Sequence, residues 1–321
     1  MGININLKTA TCREFTPQDE PDNGKRWSYF NVYFLEDLRN IYCLYDRYPV
    51  DSIPYLLELC SEIGLYSKSG KVWTRRNLLE LVNALKNFGL ISSEGNRVVK
   101  PRLFSTTNFE NDLNEAEKCV FLKIYFDYFR FKEFHSLFLY GGRIGGFSDL
   151  KELSKPIFSY STLGKYTNNF VEAIDPIVRV VSVNEKNADV TRFWDVYVKW
   201  GVTLGIMKKY PLKPFGVTTL PIVKNLSLVY FFHNMPENFS VFQFVDEEMD
   251  CSYVYIPDIV YAIIFKKRYS VEDIVNKIVK ESLSGNGKYS PQSTSAIFVN
   301  EKEDFLFPKI GNTYITHLLK L

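Results

Sequence analysis

The stretch from Thr74 to Gly89 constrains the fold more than any other part of the chain. Thr74 suits an N-cap, Leu78, Leu81, Val82, Leu85 and Phe88 fall on one helical stripe, and Gly89 suits the left-handed position just past a helix end. The spacing predicts a helix over residues 75–88. Directly after it, Leu90-Ile91 and Arg97-Val98-Val99 flank the polar run Ser92 to Asn96, which reads as a β-hairpin turning at Gly95-Asn96. A helix that stops this sharply and returns at once as a hairpin leaves few architectures open.

Two more helices are expected ahead of it. Phe34, Leu35, Leu38, Ile41, Tyr42 and Tyr45 recur at helical spacing until Pro49, and a shorter helix starts at Asp51/Ser52 with Pro54 in its first turn and closes at Ile63-Gly64. Ser67-Lys68-Ser69-Gly70 then reads as a turn. Over about residues 34–102 this order resembles the winged-helix superfamily. The segment Leu85-Lys86-Asn87-Phe88-Gly89-Leu90-Ile91 is similar to the end of a recognition helix, and the Gly/Asn-tipped hairpin is similar to the wing.

That resemblance implies contact with duplex DNA. Arg76, Asn77, Glu80 and Asn83 are the side chains expected to face base edges, with Asn87 on the same side. Lys71, Arg75, Arg97 and Lys100 are expected to hold phosphates. Residues 65–102 carry eight Lys/Arg against Glu80 and Glu94, the local excess that phosphate binding needs, although the whole chain has a formal charge of only +2. Residues 196–236 hold five lysines and no acid, residues 237–265 hold six acids and no base, and residues 266–321 are again basic.

A similar helix-rich order appears at the C-terminus. Pro257 to Phe265 reads as a helix, Ser270 with Asp273 as a capping box leading Val271, Ile274, Val275, Ile278 and Val279, and Pro291 to Phe298 as a short third helix. Phe305-Leu306-Phe307 and Thr313 to Thr316 flank a turn at 309–312. Between the two ends, Glu115 to Leu139 and Thr191 to Lys209 read as long helices, and Leu220 to Phe232 with Phe239 to Val245 as a strand pair. A further winged helix over about 160–245 is an open alternative. The expectation is therefore a predominantly α-helical α+β protein, with at least two winged-helix units around a helical middle and a small antiparallel sheet. The divisions fall at 1–112, 113–236 and 237–321.

With 321 residues, 46% of them hydrophobic and 16% aromatic, the chain has ample material for packed cores and is too apolar to remain disordered. The first residues lack the basic and apolar regions of a secretory signal, and no apolar run reaches the roughly 20 residues of a membrane span. Cys12, Cys43, Cys60, Cys119 and Cys251 are scattered, without a Cys-x-x-Cys pair, and read as free thiols of a cytoplasmic protein. His135, His233 and His317 are too dispersed to nucleate a zinc site. Neither a cofactor nor a metal is expected.

Two motifs invite chemistry and read more simply without it. Gly141-Gly142-Arg143-Ile144-Gly145-Gly146-Phe147-Ser148 lacks the lysine of a phosphate loop, Phe147 standing in its place, and reads as a turn. Asp246-Glu247-Glu248-Met249-Asp250 has no Lys or Arg within 225–265 to complete a nuclease cluster, and reads as an acidic segment docked on a basic neighbour. Trp194, Tyr197 and Trp200 recur at core spacing rather than as a base-stacking platform. The functional expectation is a non-enzymatic, duplex-DNA-binding subunit of a DNA-associated complex. The alternatives are a protein-interaction scaffold of a microbial defence or mobile-element assembly and, third, a metal-dependent nuclease using Asp246.

Overall fold

The structure, a computed structural model, describes residues 32–92, 97–104, 109, 112–127, 178–181, 188–211, 227–284, 288–293 and 304–321. It is a helix-dominated α+β protein. The chain divides into two compact units, Met1–Ile157 with Val181–Lys209 and Phe158–Val180 with Tyr210–Leu321. The glycine-rich motif at 141–148, His135 and Cys12 lie outside the described residues, as does much of the segment 160–226.

The first unit opens with three helices: α1 (Leu35–Arg47), α2 (Ile53–Glu62) and α3 (Arg75–Asn87). The expected local signals set them. Ser52 Oγ accepts from the Tyr55 amide with proline in the first turn of α2, and Thr74 Oγ1 accepts from the Asn77 amide at 3.2 Å. Gly89, with φ of 69°, ends α3 in the left-handed region where a β-carbon would be strained. The hairpin after it is a single antiparallel bridge, Ile91 to Val98, flanked by Ser92 N to Arg97 O at 2.8 Å and Val99 N to Leu90 O at 3.0 Å. Its turn, 93–96, lies outside the described residues.

Helix α4 (Glu115–Asp127) and helix α5 (Ala188–Thr203) complete this core. Phe104 stacks on Phe121 with centroids 5.1 Å apart, Phe88 meets Trp200 at 5.6 Å, and Tyr125 stacks on Tyr197 at 4.9 Å. Tyr197 and Trp200 have no exposed surface, and the Trp200 indole donates to Val32 O at 3.0 Å, so this aromatic stripe is core. The expected helix over 191–209 is cut short. Gly205, with φ of 71°, turns the chain, Ile206 N closes onto Gly201 O, and Met207–Pro211 leaves as a strand.

Strands β1 (Val178–Val181) and β2 (Met207–Pro211) carry the chain between the units, and β3 (Ser227–Phe231) lies in the second unit. There follow α6 (Val241–Glu248), β4 (Tyr253–Tyr255), α7 (Ile256–Lys267), α8 (Val271–Leu283), β5 (Tyr289–Gln292), a 3-10 turn (Asp304–Leu306), the hairpin β6 (Lys309–Ile310) and β7 (Thr313–Tyr314), and β8 (His317–Lys320). The strands β4, β8 and β5 form one antiparallel sheet in that order, with Val254 opposite Leu318 and Pro291 opposite Leu318 on the other side. Helix α7 is the centre of the core: Ile259, Val260, Ala262, Ile263 and Ile264 have no exposed surface.

Two expectations fail in this unit. Residues 239–245 are not a strand. Val241, Phe242, Phe244 and Val245 bury one face of α6, whose start is capped by Ser240 and by a carboxylate from α8 that no local pattern reveals. Residues 291–293 do not begin the expected helix, whose remainder, 294–298, lies outside the described residues. Pro291, which resembles a helix first-turn proline, sits in an outer strand, where its missing N–H faces away from the partner. Asp304–Leu306 form a 3-10 turn ahead of the β6–β7 hairpin. Among the described residues no helix is long and apolar enough to cross a membrane.

Candidate nucleic-acid interface

Helix α3 buries Leu78, Leu81, Val82, Ala84 and Leu85 and turns Arg75, Arg76, Asn77, Leu79 and Asn83 outward. No acidic residue lies in its first turn, so the partial positive charge of the helix start is reinforced by two guanidinium groups instead of being neutralised. Arg75 and Asn77 are exposed, and Asn77 spends only its backbone amide on the Thr74 cap. Arg76 Nε lies 3.4 Å from Glu80 Oε1, with the arginine side chain 80% exposed, a loose surface pair. Asn83 is exposed, while Asn87 turns its side-chain amide back onto Asn83 O at 2.8 Å.

The approach to the helix separates two lysines that composition counts alike. Lys68 is held: its amide donates to Asp37 Oδ1 at 2.7 Å and its ammonium lies 2.5 Å from Asp112 Oδ1, which keeps the Asp112 carboxyl below its ordinary range. Lys71 is exposed, its backbone closing the turn through Ser67 N to Lys71 O at 3.0 Å. Among the described residues no ion pair engages Lys71 or Arg75.

On the far side of the bridge Arg97 is exposed and offers its carbonyl to Ser92. Lys100 is half-buried, and its carbonyl accepts from the buried Tyr42 hydroxyl. Lys71, Arg75, Arg76 and Asn77 gather at the start of α3, Glu80 and Asn83 lie along it, and Arg97 and Lys100 follow its end. A helix of 13 residues is about 20 Å long, close to the rise of six base pairs at about 3.4 Å each.

The expected residue set omits Leu79, 46% exposed on the same face, and Val72, 70% exposed beside Lys71. The adjacent leucines 78 and 79 conceal the first: Leu78 meets the core, and the next position on a helix cannot share its direction.

Helix α8 presents a different face. Its first turn carries Glu272 and Asp273, Tyr210 Oη donates to Glu272 Oε2 at 2.6 Å and accepts from the Val271 amide, and Lys277 Nζ donates to Glu237 O at 2.9 Å. The groove of about 680 Å³ beside it mixes Asp273, Glu237 and Asn276 with Lys277 and Lys280. Asp246, the residue that a nuclease reading needs, has its carboxylate occupied by Lys288, by Lys320 at 2.8 Å and by Tyr289 Oη at 2.8 Å, and these donors hold it well below the usual carboxylate range. Its basic partners lie outside the 225–265 stretch. Among the described residues no three His, Cys, Asp or Glu side chains gather as a metal site. Burial raises the Cys43 thiol to about 11 and the Cys60 thiol to about 12, so neither is a ready nucleophile.

No family model, curated protein or solved structure matches the chain.

Proposed function

We propose that the protein contacts duplex DNA through α3 and the bridge that follows it, as a non-enzymatic subunit of a DNA-associated complex built from winged-helix units. The observation that carries this reading is the outward face of α3: Arg75, Arg76 and Asn77 exposed at a helix start that holds no acid. Two features support it. In the first unit a bridged return bearing Arg97 follows three helices; in the second, the order helix, strand, helix, helix, strand and, after a 3-10 turn and the separate β6–β7 hairpin, a last strand, with sheet order β4-β8-β5, suits a further winged helix that carries an inserted hairpin. The test is duplex binding by the full chain as a function of salt. Replacing Arg75 and Arg97 by alanine is expected to weaken binding for every sequence and to lower the salt slope by about one for each phosphate that is no longer neutralised. Unchanged affinity and slope would overturn the reading.

A protein-docking role for α8 is the second reading, favoured by its acidic first turn, which repels phosphate, and by the mixed charges of its groove, which suit a polypeptide. Replacing Asp273 and Asn276 by lysine is expected to release a stoichiometric protein partner while leaving duplex binding intact, as judged by co-purification.

A further inference from the structure

We propose that Leu79 reads the 5-methyl group of a thymine in the major groove, a specificity that rests on the reading of α3 as the duplex-contacting helix. Leu79 is 46% exposed whereas its neighbour Leu78 is fully buried, so α3 carries an apolar group on its polar side that the core does not use. A lone exposed leucine is ordinary. The setting of this one is not: Arg76 stands three residues before it and Asn83 four residues after it, both turned outward, so that all three share one helical face.

Along a helix these positions are separated by about 4.5 Å and about 6 Å, which spreads them over roughly three base-pair steps. In the major groove arginine pairs with guanine and asparagine with adenine, while the thymine methyl is the one base feature there that asks for an apolar partner. A side chain between two hydrogen-bonding readers, itself unable to donate or accept, gains from that methyl group and leaves the polar edge of any other base unpaired. Glu80, one residue on, is drawn toward Arg76 and has its side chain 26% exposed, which leaves the space outside Leu79 open.

The test selects bound molecules from a pool of short duplexes with a randomised centre, using the full chain. A thymine is expected to be enriched at one step. Replacing it by uracil, which removes only the methyl, is expected to weaken binding about fourfold for the native protein, the worth of one buried methyl-sized group, and not at all for Leu79→Ala. Alanine at an exposed helical position keeps the helix, which circular dichroism checks. If Arg75→Ala and Arg76→Ala weaken binding while thymine and uracil duplexes bind the native protein equally, or no thymine is enriched, the assignment of Leu79 falls and the DNA reading stands. If those arginine variants bind the pool as the native protein does, the DNA reading falls and takes this assignment with it.

Discussion

Arg39 of α1 and Glu117 of α4 meet at 3.1 Å with side chains 1% and 3% exposed, a buried ion pair that ties the first helix of the first unit to its fourth. The guanidinium also donates to Asn40 Oδ1 and to the carbonyls of Asp112 and Phe109, and Glu117 in turn accepts from the Asn114 amide while its own amide donates to Asn114 Oδ1. One carboxylate therefore serves as a helix cap and as a counter-ion.

Removing one partner strands the other charge in the core. Glu117→Ala is expected to destabilise the unit by about 3–5 kcal/mol, and the double replacement Arg39→Met with Glu117→Leu by less than Glu117→Ala alone. Urea unfolding of the native protein and both variants measures this, and a double variant less stable than the single one would contradict it.

Glu281 of α8 sets the start of α6 from a distance. Its carboxylate accepts from the amides of Val241 at 3.1 Å and Phe242 at 2.9 Å and from Ser240 Oγ at 3.2 Å. Glu281→Ala leaves these donors without their acceptor and is expected to cost about 2–3 kcal/mol, with Glu281→Gln intermediate because it keeps one oxygen and loses the charge. Amide hydrogen exchange is expected to speed up first at Val241 and Phe242.

Asp37 gives the fold a pH dependence of defined sign. Burial, partly offset by the Lys68 amide, raises its carboxyl from about 3.8 to about 6. The folded state then binds this proton more tightly than the unfolded chain does. Its contribution is fully present below about pH 4, is lost as pH rises through about 6, and stays lost above that; the gap between the folded and unfolded values corresponds to about 3 kcal/mol at most. Asp37→Asn is expected to be more stable than the native protein at pH 7 and to flatten the native decline between pH 4 and pH 6, as read from unfolding midpoints across that range.

Gly201 in α5 has no room for a side chain. A β-carbon there would lie 2.9 Å from Met207 Cβ and 2.9 Å from Tyr125 Oη. Gly201→Ala is therefore expected to destabilise by about 1–3 kcal/mol despite the better helix propensity of alanine, checked by thermal unfolding.

The two lysines before α3 are expected to separate in binding. Lys68→Ala removes an ammonium already 2.5 Å from Asp112 and is expected to leave the salt slope of duplex binding unchanged, whereas Lys71→Ala lowers it by about one. Equal effects would mean that the Lys68 pair opens on binding.

What is legible in the sequence is what acts locally. Ser52, Thr74 and Ser270 announce α2, α3 and α8 because a cap and its helix lie within one turn of each other. Residues 239–245 mislead because aromatic and β-branched side chains suit strands, and the group that favours helix there, Glu281, lies 40 residues away from Val241. Pro291 misleads for the opposite reason: first-turn helix positions and outer strand positions tolerate proline alike, and only the pairing with β8 decides. On α3 the polar residues are legible from periodicity, but which lysine is already engaged depends on Asp37 and Asp112, far away in the chain.

Pro291 has one more effect. Lacking an amide hydrogen on the outer side of β5, it offers an incoming strand no donor at that step, so a second molecule cannot extend the β4-β8-β5 sheet there with a full set of bonds. The same residue that disguises this strand as a helix start makes that border a poorer template for a further strand.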